Sequence, residues 1–173
     1  KPRVHSCGDA HHADKSSSVS AADVLRGAPI APAAPVAIKA NRFRLARDMV
    51  PHAYHVQIEA SPEKSDFSGR LNFQSQTKKA LPYFELNARD LKVDHVKVSV
   101  GGQTFHGEAI PDPVNERVRL QFPMEIPAGD LNFSLSFSGE LSKNMQGLYL
   151  GDDGQDRAIV SQAQAADARA IFP

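Results

Sequence analysis

The sequence predicts an all-β fold of antiparallel strands, preceded by an N-terminal tail of different composition. Three observations support this prediction. Apolar and polar residues alternate over most of the chain after residue 40, turn-forming residues recur at short spacing, and no long stretch after Asn41 shows the apolar period of a helix. A sandwich or an open, curved sheet of about seven or eight strands accommodates this pattern.

The strongest alternation lies between residues 131 and 138. Leu131, Phe133, Leu135 and Phe137 are predicted to face inward, and the polar residues between them to face solvent. Further strands are predicted at residues 54–59, 67–74, 81–86, 91–100, 103–109, 117–122 and 157–162.

Local irregularities are also predicted from the pattern. The apolar positions change parity within residues 91–100, which indicates a β-bulge near Asp94 and His95. Gly101 and Gly102 then predict a hairpin turn. Residues 111–113 are predicted as a loop, and Gly147 to Leu150 as an apolar turn.

Residues 1–40 are rich in Ser, Pro and Ala, so we expect a disordered tail or linker there and a β domain over residues 41–173. Cys7, Asp9, His11, His12 and Asp14 lie close together in the tail. Thiolate and imidazole groups bind zinc or copper, but no spacing here matches a closed site, which favours an ordinary polar tail. Cys7 is the single cysteine, so no disulfide forms within the chain.

The bulk composition gives no reason to expect nucleic acid or an anionic membrane as a partner. The chain has 20 basic and 20 acidic side chains, which gives no basis for binding nucleic acid. No run approaches the roughly 18 consecutive apolar residues of a transmembrane helix. The composition of the tail resembles the spacer of an exported bacterial protein, so a periplasmic or cell-surface location is favoured over a cytoplasmic one.

The sequence contains neither a G-x-S-x-G nucleophile elbow nor a G-x-x-x-x-G-K phosphate loop. The H-E-x-x-H pattern of zinc proteases is absent, and His52 and His55 lie at the predicted start of a strand, where they would face opposite sides. The loop from Gly151 to Asp156 is acidic, but an EF-hand counted from Asp152 requires Glu at its twelfth position and finds Ala163. Arg117 and Arg119 are interpreted as solubilising charges. The chain alone is therefore expected to be inactive and to hold no cofactor.

Six short stretches, in order along the chain, resemble the N-terminal domain of the zinc metallo-aminopeptidases of the aminopeptidase N family, which includes aminopeptidase B and the leukotriene hydrolases. They run from Arg44-Leu45 with Val50-Pro51-His52-Ala53-Tyr54, through Phe67-Ser68-Gly69-Arg70-Leu71, Leu86-Asn87-Ala88-Arg89-Asp90-Leu91, Phe137-Ser138-Gly139-Glu140-Leu141 and Gly147-Leu148-Tyr149, to Ser161-Gln162-Ala163-Gln164 with Asp167-Ala168-Arg169 and Phe172-Pro173.

The resemblance implies a saddle-like β domain that packs on a zinc-bearing catalytic domain of the same polypeptide. It places Gln162, Ala163 and Gln164 in the substrate-binding site, with the Gln164 side chain against the α-amino group of the peptide substrate. Most members of the family have Glu at this position, and the Gln found here resembles the aminopeptidase B and leukotriene hydrolase branch. A structural role for Gln164, in which its amide holds the loop backbone, stays open.

The resemblance also predicts that the chain is a fragment, truncated before the catalytic domain, with zinc expected in that domain. The alternative is a stand-alone, non-catalytic β-sandwich binding module. Its contact surface would be an exposed sheet edge or the apolar side chains of Leu148, Tyr149 and Leu150.

Overall fold

A computed structural model of the protein describes residues 44–173. The predicted tail and the group of polar residues between Cys7 and Asp14 lie outside the described residues. Within 44–173 the chain forms ten β-strands and a 3₁₀ helix, without an α-helix, so the all-β prediction is confirmed. The strands are β1 (Met49–Ala60), β2 (Asp66–Thr77), β3 (Leu81–Asn87), β4 (Leu91–Val100), β5 (Gln103–His106), β6 (Glu108–Asp112), β7 (Arg117–Ile126), β8 (Gly129–Glu140), β9 (Gly147–Asp152) and β10 (Arg157–Gln162). The 3₁₀ helix, Asp167–Ala170, is called the terminal turn below.

The strands form two packed sheets and a hairpin. The first sheet has five strands in the order β1-β2-β8-β4-β5, and the second has three in the order β3-β7-β6. Strands β9 and β10 form a separate two-stranded sheet, and every pair of strands is antiparallel. An isolated parallel bridge joins Tyr149 of β9 to Ser142. Phe84 of the second sheet meets Phe133 of the first edge-to-face at 5.0 Å between ring centroids, so the two larger sheets face each other as an open sandwich.

The core forms from the alternating faces of the strands. The inward residues of β8 are all buried, as predicted, and Phe133 stacks on Phe73 of β2 at 4.5 Å. Each such apolar side chain contributes roughly 1.5–3 kcal/mol on burial, so this face dominates the stability of the sandwich. The second sheet supplies Phe84, Leu86, Val118, Leu120 and Phe122.

The predicted bulge in β4 is confirmed. The pairing between β4 and β8 shifts register between Asp94 and Lys97, and His95 has a φ of 54°. The extra residue restores the inward orientation of Val96 and Val98 after Val93, and all three are buried. Gly101 and Gly102 turn the chain with φ values of 55° and 79°, as their sequence predicts.

The predicted single strand over residues 103–109 is wrong. The chain leaves the first sheet after β5 and enters the second sheet at β6, with Gly107 between them. A Cβ at Gly107 would lie 2.7 Å from the carbonyl oxygen of Gln121 and 2.7 Å from the Phe122 ring, so this crossing point needs a glycine. The predicted loop at residues 111–113 is partly wrong as well, because β6 continues to Asp112.

Strand β1 contains the strand predicted over residues 54–59, but most of its residues are exposed. Tyr54 and Ile58 face inward, yet 46% and 39% of their surface is exposed. The Tyr54 ring stacks on that of Phe73 with 5.3 Å between centroids. Because β1 is an edge strand whose main contacts are with β2, the second sheet leaves much of its inner face uncovered.

The apolar segment from Gly147 to Leu150 is not a turn but the first part of β9. Leu148 is buried with the main core, and Tyr149 and Leu150 are half-buried. The hairpin therefore packs on the sandwich through Leu148, which makes this residue inaccessible as the contact surface of a binding module.

Candidate functional site

The residues predicted to bind substrate lie in an exposed segment at the end of β10. Gln162 is the last residue of the strand, and Ala163 and Gln164 follow it. All three are exposed, as are Ala165 and Ala166, which precede the terminal turn. We call residues 163–166 the terminal loop.

The hairpin β9–β10 fixes the first end of the terminal loop. Gln162 pairs with Gly147 at the base of the hairpin, and Gly147 has a φ of 68°. A Cβ at Gly147 would lie 3.2 Å from the Cβ of Ala170, so the base of the hairpin packs closely against the terminal turn. A glycine at position 147 satisfies both requirements, the left-handed backbone and the close approach.

Two hydrogen bonds shape the terminal loop itself. The side-chain oxygen of Gln162 accepts a hydrogen bond from the backbone N–H of Gln164 at 3.2 Å. The backbone N–H of Asp167 donates to the carbonyl oxygen of Ala163 at 3.0 Å. The structure thus brings Gln162 and Gln164 together, with Gln162 holding the backbone from which the exposed Gln164 side chain projects.

Four charged residues fix the second end of the loop. Arg89, in the turn between β3 and β4, forms an ion pair with Asp167 at 2.8 Å, and it lies 4.0 Å from Glu116. Glu116 also pairs with Arg169 at 3.3 Å, and the Nε of Arg169 donates to the carbonyl oxygen of Ala166 at 3.1 Å. We call Arg89, Glu116, Asp167 and Arg169 the ion-pair cluster. Our sequence reasoning did not assign these residues to the site, although three of them lie in the motifs that carry the family resemblance.

An apolar groove borders the terminal loop. A cavity of about 340 Å³ is lined by residues that include Tyr54, Leu86, Ala166, Phe172 and Pro173. Tyr54 and Leu86 also line a cavity of about 710 Å³ between the edges of β1 and β3. Partial burial raises the pKa of the Tyr54 hydroxyl above its ordinary value.

Residues 44–173 do not fit a metal ion. No group of three or more His, Cys, Asp or Glu side chains in this range is arranged to hold one. His52 and His55 both lie within β1 and are exposed.

In the acidic loop between β9 and β10, the carboxylates accept hydrogen bonds from backbone N–H groups of the same loop. Asp153 accepts hydrogen bonds from the N–H groups of Asp156 at 2.8 Å and Gln155 at 3.0 Å, and these bonds lower the pKa of its carboxyl group. Asp152 accepts from the N–H of Gly154 at 2.8 Å. This is the arrangement of a solvated hairpin loop.

Arg117 and Arg119 are not merely solubilising charges. Both pair with Glu85 across β3 and β7, at 3.5 and 3.2 Å, and Arg119 lies 4.3 Å from the centroid of the Tyr83 ring. They stabilise the outer face of the second sheet by cross-strand contacts, which composition alone does not reveal.

No helix within residues 44–173 has the length and apolar character needed to span a membrane. The family model for the peptidase M1 N-terminal domain matches residues 50–173, which is most of the chain.

Curated relatives of the chain are aminopeptidases. Aminopeptidase M1-C of Oryza sativa subsp. japonica is 28% identical over 152 residues, which is 83% of this chain and 17% of the relative. Aminopeptidase N of Acetobacter pasteurianus is 25% identical over 135 residues, 75% of this chain and 37% of the relative. Probable M1 family aminopeptidase 1 of Encephalitozoon cuniculi (strain GB-M1) is 26% identical over 133 residues, 75% of this chain and 15% of the relative.

The chain thus spans from 15% to 37% of the length of these relatives, and its match with the family model extends to its last residue. The protein belongs to the peptidase M1 N-terminal domain family.

Proposed function

We propose that this domain belongs to a zinc-dependent aminopeptidase that removes N-terminal residues from peptides. In this proposal the domain caps the active-site cleft of a catalytic domain in the same polypeptide, and Gln164 contacts the α-amino group of the substrate. The observation that carries the proposal is the exposed position of Gln164 in a loop fixed at both ends, by the β9–β10 hairpin and by the ion-pair cluster.

The chemistry of the contact follows from the two groups. A peptide ammonium has three hydrogen-bond donors and no acceptor, and the side-chain oxygen of Gln164 can accept one of these bonds. Because a Gln amide is neutral, it orients the ammonium group by a hydrogen bond but does not balance its charge. A carboxylate elsewhere in the enzyme must supply the negative charge. Zinc, when bound by the catalytic domain, would polarise the scissile carbonyl and activate water.

The apolar groove supports the proposed docking on a catalytic domain. Phe172 and Pro173, the last residues matched by the family model, line this groove together with Tyr54 and Leu86. The relatives are several times longer than the matched segment, and the family match in this chain ends at Pro173. We propose that the groove and the exposed inner face of β1 pack against the catalytic domain.

The first experiment replaces Gln164 in the aminopeptidase that contains this domain. We expect Gln164→Ala to reduce kcat/KM for peptides with a free amino terminus on the order of tenfold, because a hydrogen bond to a charged group contributes about 1.5 kcal/mol or more. The matched control is Gln155→Ala in the β9–β10 loop, since Gln155 is also exposed and lies at the opposite end of the hairpin. Equal kinetics for the two variants would refute the role of Gln164.

A second variant tests the neutral character of the contact. We expect Gln164→Glu to change KM for free amino termini by at least severalfold, because a carboxylate adds a charge beside the ammonium. The change should diminish at high ionic strength, whereas the effect of Gln164→Ala should persist. If Gln164→Glu leaves KM unchanged at every salt concentration, the side chain does not face the substrate.

The alternative function, a stand-alone binding module, is tested by sequence rather than by kinetics. The reading frame that encodes this domain should continue into an H-E-x-x-H motif, with two histidines and a glutamate on one helix. The burial of Leu148 already removes one of the three side chains on which the alternative relies.

A further inference from the structure

We propose that Arg89 is a positioning residue that holds the terminal loop, and with it Gln164, through its ion pair with Asp167. The consequence for substrate binding rests on the proposed function of Gln164. The role of Arg89 in holding the terminal loop, which we call its mechanical role, rests only on contacts within this chain.

The conformation of the terminal loop depends on the contacts at its two ends, because its own side chains make little contact with the rest of the domain. Ala163, Gln164, Ala165 and Ala166 are all exposed, so apolar burial does not hold them in one conformation. The ladder of β9 and β10 holds the first end at Gln162. The second end is Asp167, whose N–H closes the loop on Ala163.

Asp167 is held mainly by Arg89. Only 8% of the surface of Asp167 is exposed, and its carboxylate lies 2.8 Å from the guanidinium of Arg89. A carboxylate this far from water needs a cationic partner, and removal of the partner leaves a charge that is poorly solvated. We expect the Asp167 side chain then to turn toward water and to disturb the bond between its N–H and Ala163.

Backbone hydrogen bonds at Arg89 and at the preceding residue fix the chain from which the Arg89 side chain extends. The backbone N–H of Arg89 donates to the carbonyl oxygen of Arg169 at 2.8 Å, and the N–H of Ala88 donates to the carbonyl oxygen of Glu116 at 2.8 Å. Glu116 then neutralises Arg169 at 3.3 Å. The cluster joins three segments that are distant in sequence: the turn after β3, the turn before β7 and the terminal turn.

The backbone bond of Arg89 allows the side chain to be tested separately from the fold. Arg89→Met retains the N–H that donates to Arg169 and much of the aliphatic volume, but it removes the charge. Asp167→Asn is a milder second variant, which keeps the size of the side chain. The matched control is Lys92→Met, because Lys92 pairs with Asp94 on an exposed part of β4 with 76% of its side chain in solvent.

Amide hydrogen exchange in the 173-residue chain tests the mechanical role. We expect Arg89→Met to accelerate exchange of the Asp167 N–H at least tenfold relative to the amides of β8, and Asp167→Asn to do so to a smaller extent. Arg89→Lys should restore most of the protection, because one charged donor is sufficient for this ion pair. Lys92→Met should change neither group of amides. If the exchange rate of the Asp167 amide relative to the β8 amides is unchanged in both Arg89→Met and Asp167→Asn, the proposal is wrong.

A pair of inhibitors tests the consequence for substrate binding in the aminopeptidase. Both carry the same zinc-chelating group, and only one of them has a free α-amino group. We expect Arg89→Met to weaken the amino-bearing inhibitor on the order of tenfold and to leave the other nearly unchanged. Equal loss for both inhibitors would show a general structural defect and would overturn the positioning role.

The variant Gln164→Ala separates this proposal from the proposed function. If Gln164→Ala weakens the amino-bearing inhibitor and Arg89→Met weakens neither, the positioning role fails and the proposed function stands. If Gln164→Ala has no selective effect, the proposed function fails, and the exchange of the Asp167 amide alone decides the mechanical role of Arg89.

Discussion

The sandwich and the terminal loop of this domain are held by different forces. The sandwich depends on apolar faces that alternate along each strand, with Phe73, Phe84 and Phe133 in ring contact at its centre. The terminal loop depends on a cluster of four charges and a few hydrogen bonds. Salt screens ion pairs, so the part that we assign to substrate recognition is expected to be the more easily perturbed of the two.

The largest effect is expected at the inward face of β8. Leu135→Lys should destabilise the protein by more than about 4 kcal/mol, because it places a charge in a core where Leu135 is 2% exposed. Ser134→Lys should lower the free energy of unfolding by less than about 1 kcal/mol, since Ser134 is exposed on the opposite face. Urea unfolding of the two variants measures this difference. Similar losses would show that the faces of β8 are wrongly assigned.

A steric effect of intermediate size is expected where β2 meets β8. Gly69 pairs with Phe137, and Gly139 pairs with Phe67, so each phenylalanine ring lies over the glycine of the other strand. A Cβ at Gly69 would lie 2.3 Å from the ring of Phe137 and 2.6 Å from the carbonyl oxygen of Gln57. We expect Gly69→Ala to cost about 2–3 kcal/mol.

The control for this steric effect is Gly102→Ala. No atom lies within 4 Å of a Cβ there, but the φ of 79° makes the backbone unfavourable, so we expect a cost of about 1–2 kcal/mol. Phe137→Leu should rescue part of the loss from Gly69→Ala and none of the loss from Gly102→Ala. Additive losses in both double variants, measured by thermal or urea unfolding, would disprove the packing of Phe137 on Gly69.

A small gain in stability is expected at Ser75. This residue is completely buried in β2, and its hydroxyl has no hydrogen-bond partner among the residues that the structure describes. Ser75→Ala should therefore stabilise the protein by up to about 1 kcal/mol, because it removes a desolvated polar group. Loss of stability in urea unfolding would indicate that the hydroxyl makes a favourable contact.

The smallest effect is expected at Asp112, at the start of the turn that carries Glu116. Hydrogen bonds from Asn115 and the nearby charges of Arg117 and Arg119 lower the pKa of Asp112 below its ordinary value of 3.8. Its ionised form is thus favoured in the folded state. The resulting stability is present above the unfolded pKa of 3.8 and is lost as the pH falls through the lower, folded pKa.

We therefore expect Asp112→Asn to lower the melting temperature slightly at neutral pH. The difference from the unsubstituted protein should disappear as the pH falls below 3.8. Melting curves over a series of pH values measure this, and Glu108→Gln, an exposed position in the same strand, is the control. A difference that persists unchanged at the lowest pH would exclude the ionised carboxylate as its cause.

The sequence predicted the parts of the fold that local pattern determines. Alternation located the inward face of β8, and the parity change in residues 91–100 located the bulge of β4, because both depend on the side-chain period of a strand. Gly101 and Gly102 predicted their turn for the same local reason. The resemblance to aminopeptidases, carried by six short motifs, is confirmed by the family match over residues 50–173.

Features that depend on distant contacts could not be predicted in this way. The change of sheet at Gly107 depends on its contact with Phe122, and the burial of Leu148 depends on a core built by other strands. The ion-pair cluster joins three turns, and no local period marks Arg89, Glu116 or Asp167 as partners. The substrate-binding role of Gln162, Ala163 and Gln164 stays a prediction from family resemblance.

A crystal structure of the complete aminopeptidase with a bound peptide tests the proposed recognition most directly. We predict that the side-chain oxygen of Gln164 lies within about 3.2 Å of the peptide α-amino nitrogen, with the ion pair between Arg89 and Asp167 intact. A peptide amino group bound without any contact to the terminal loop would contradict the proposed role of this domain.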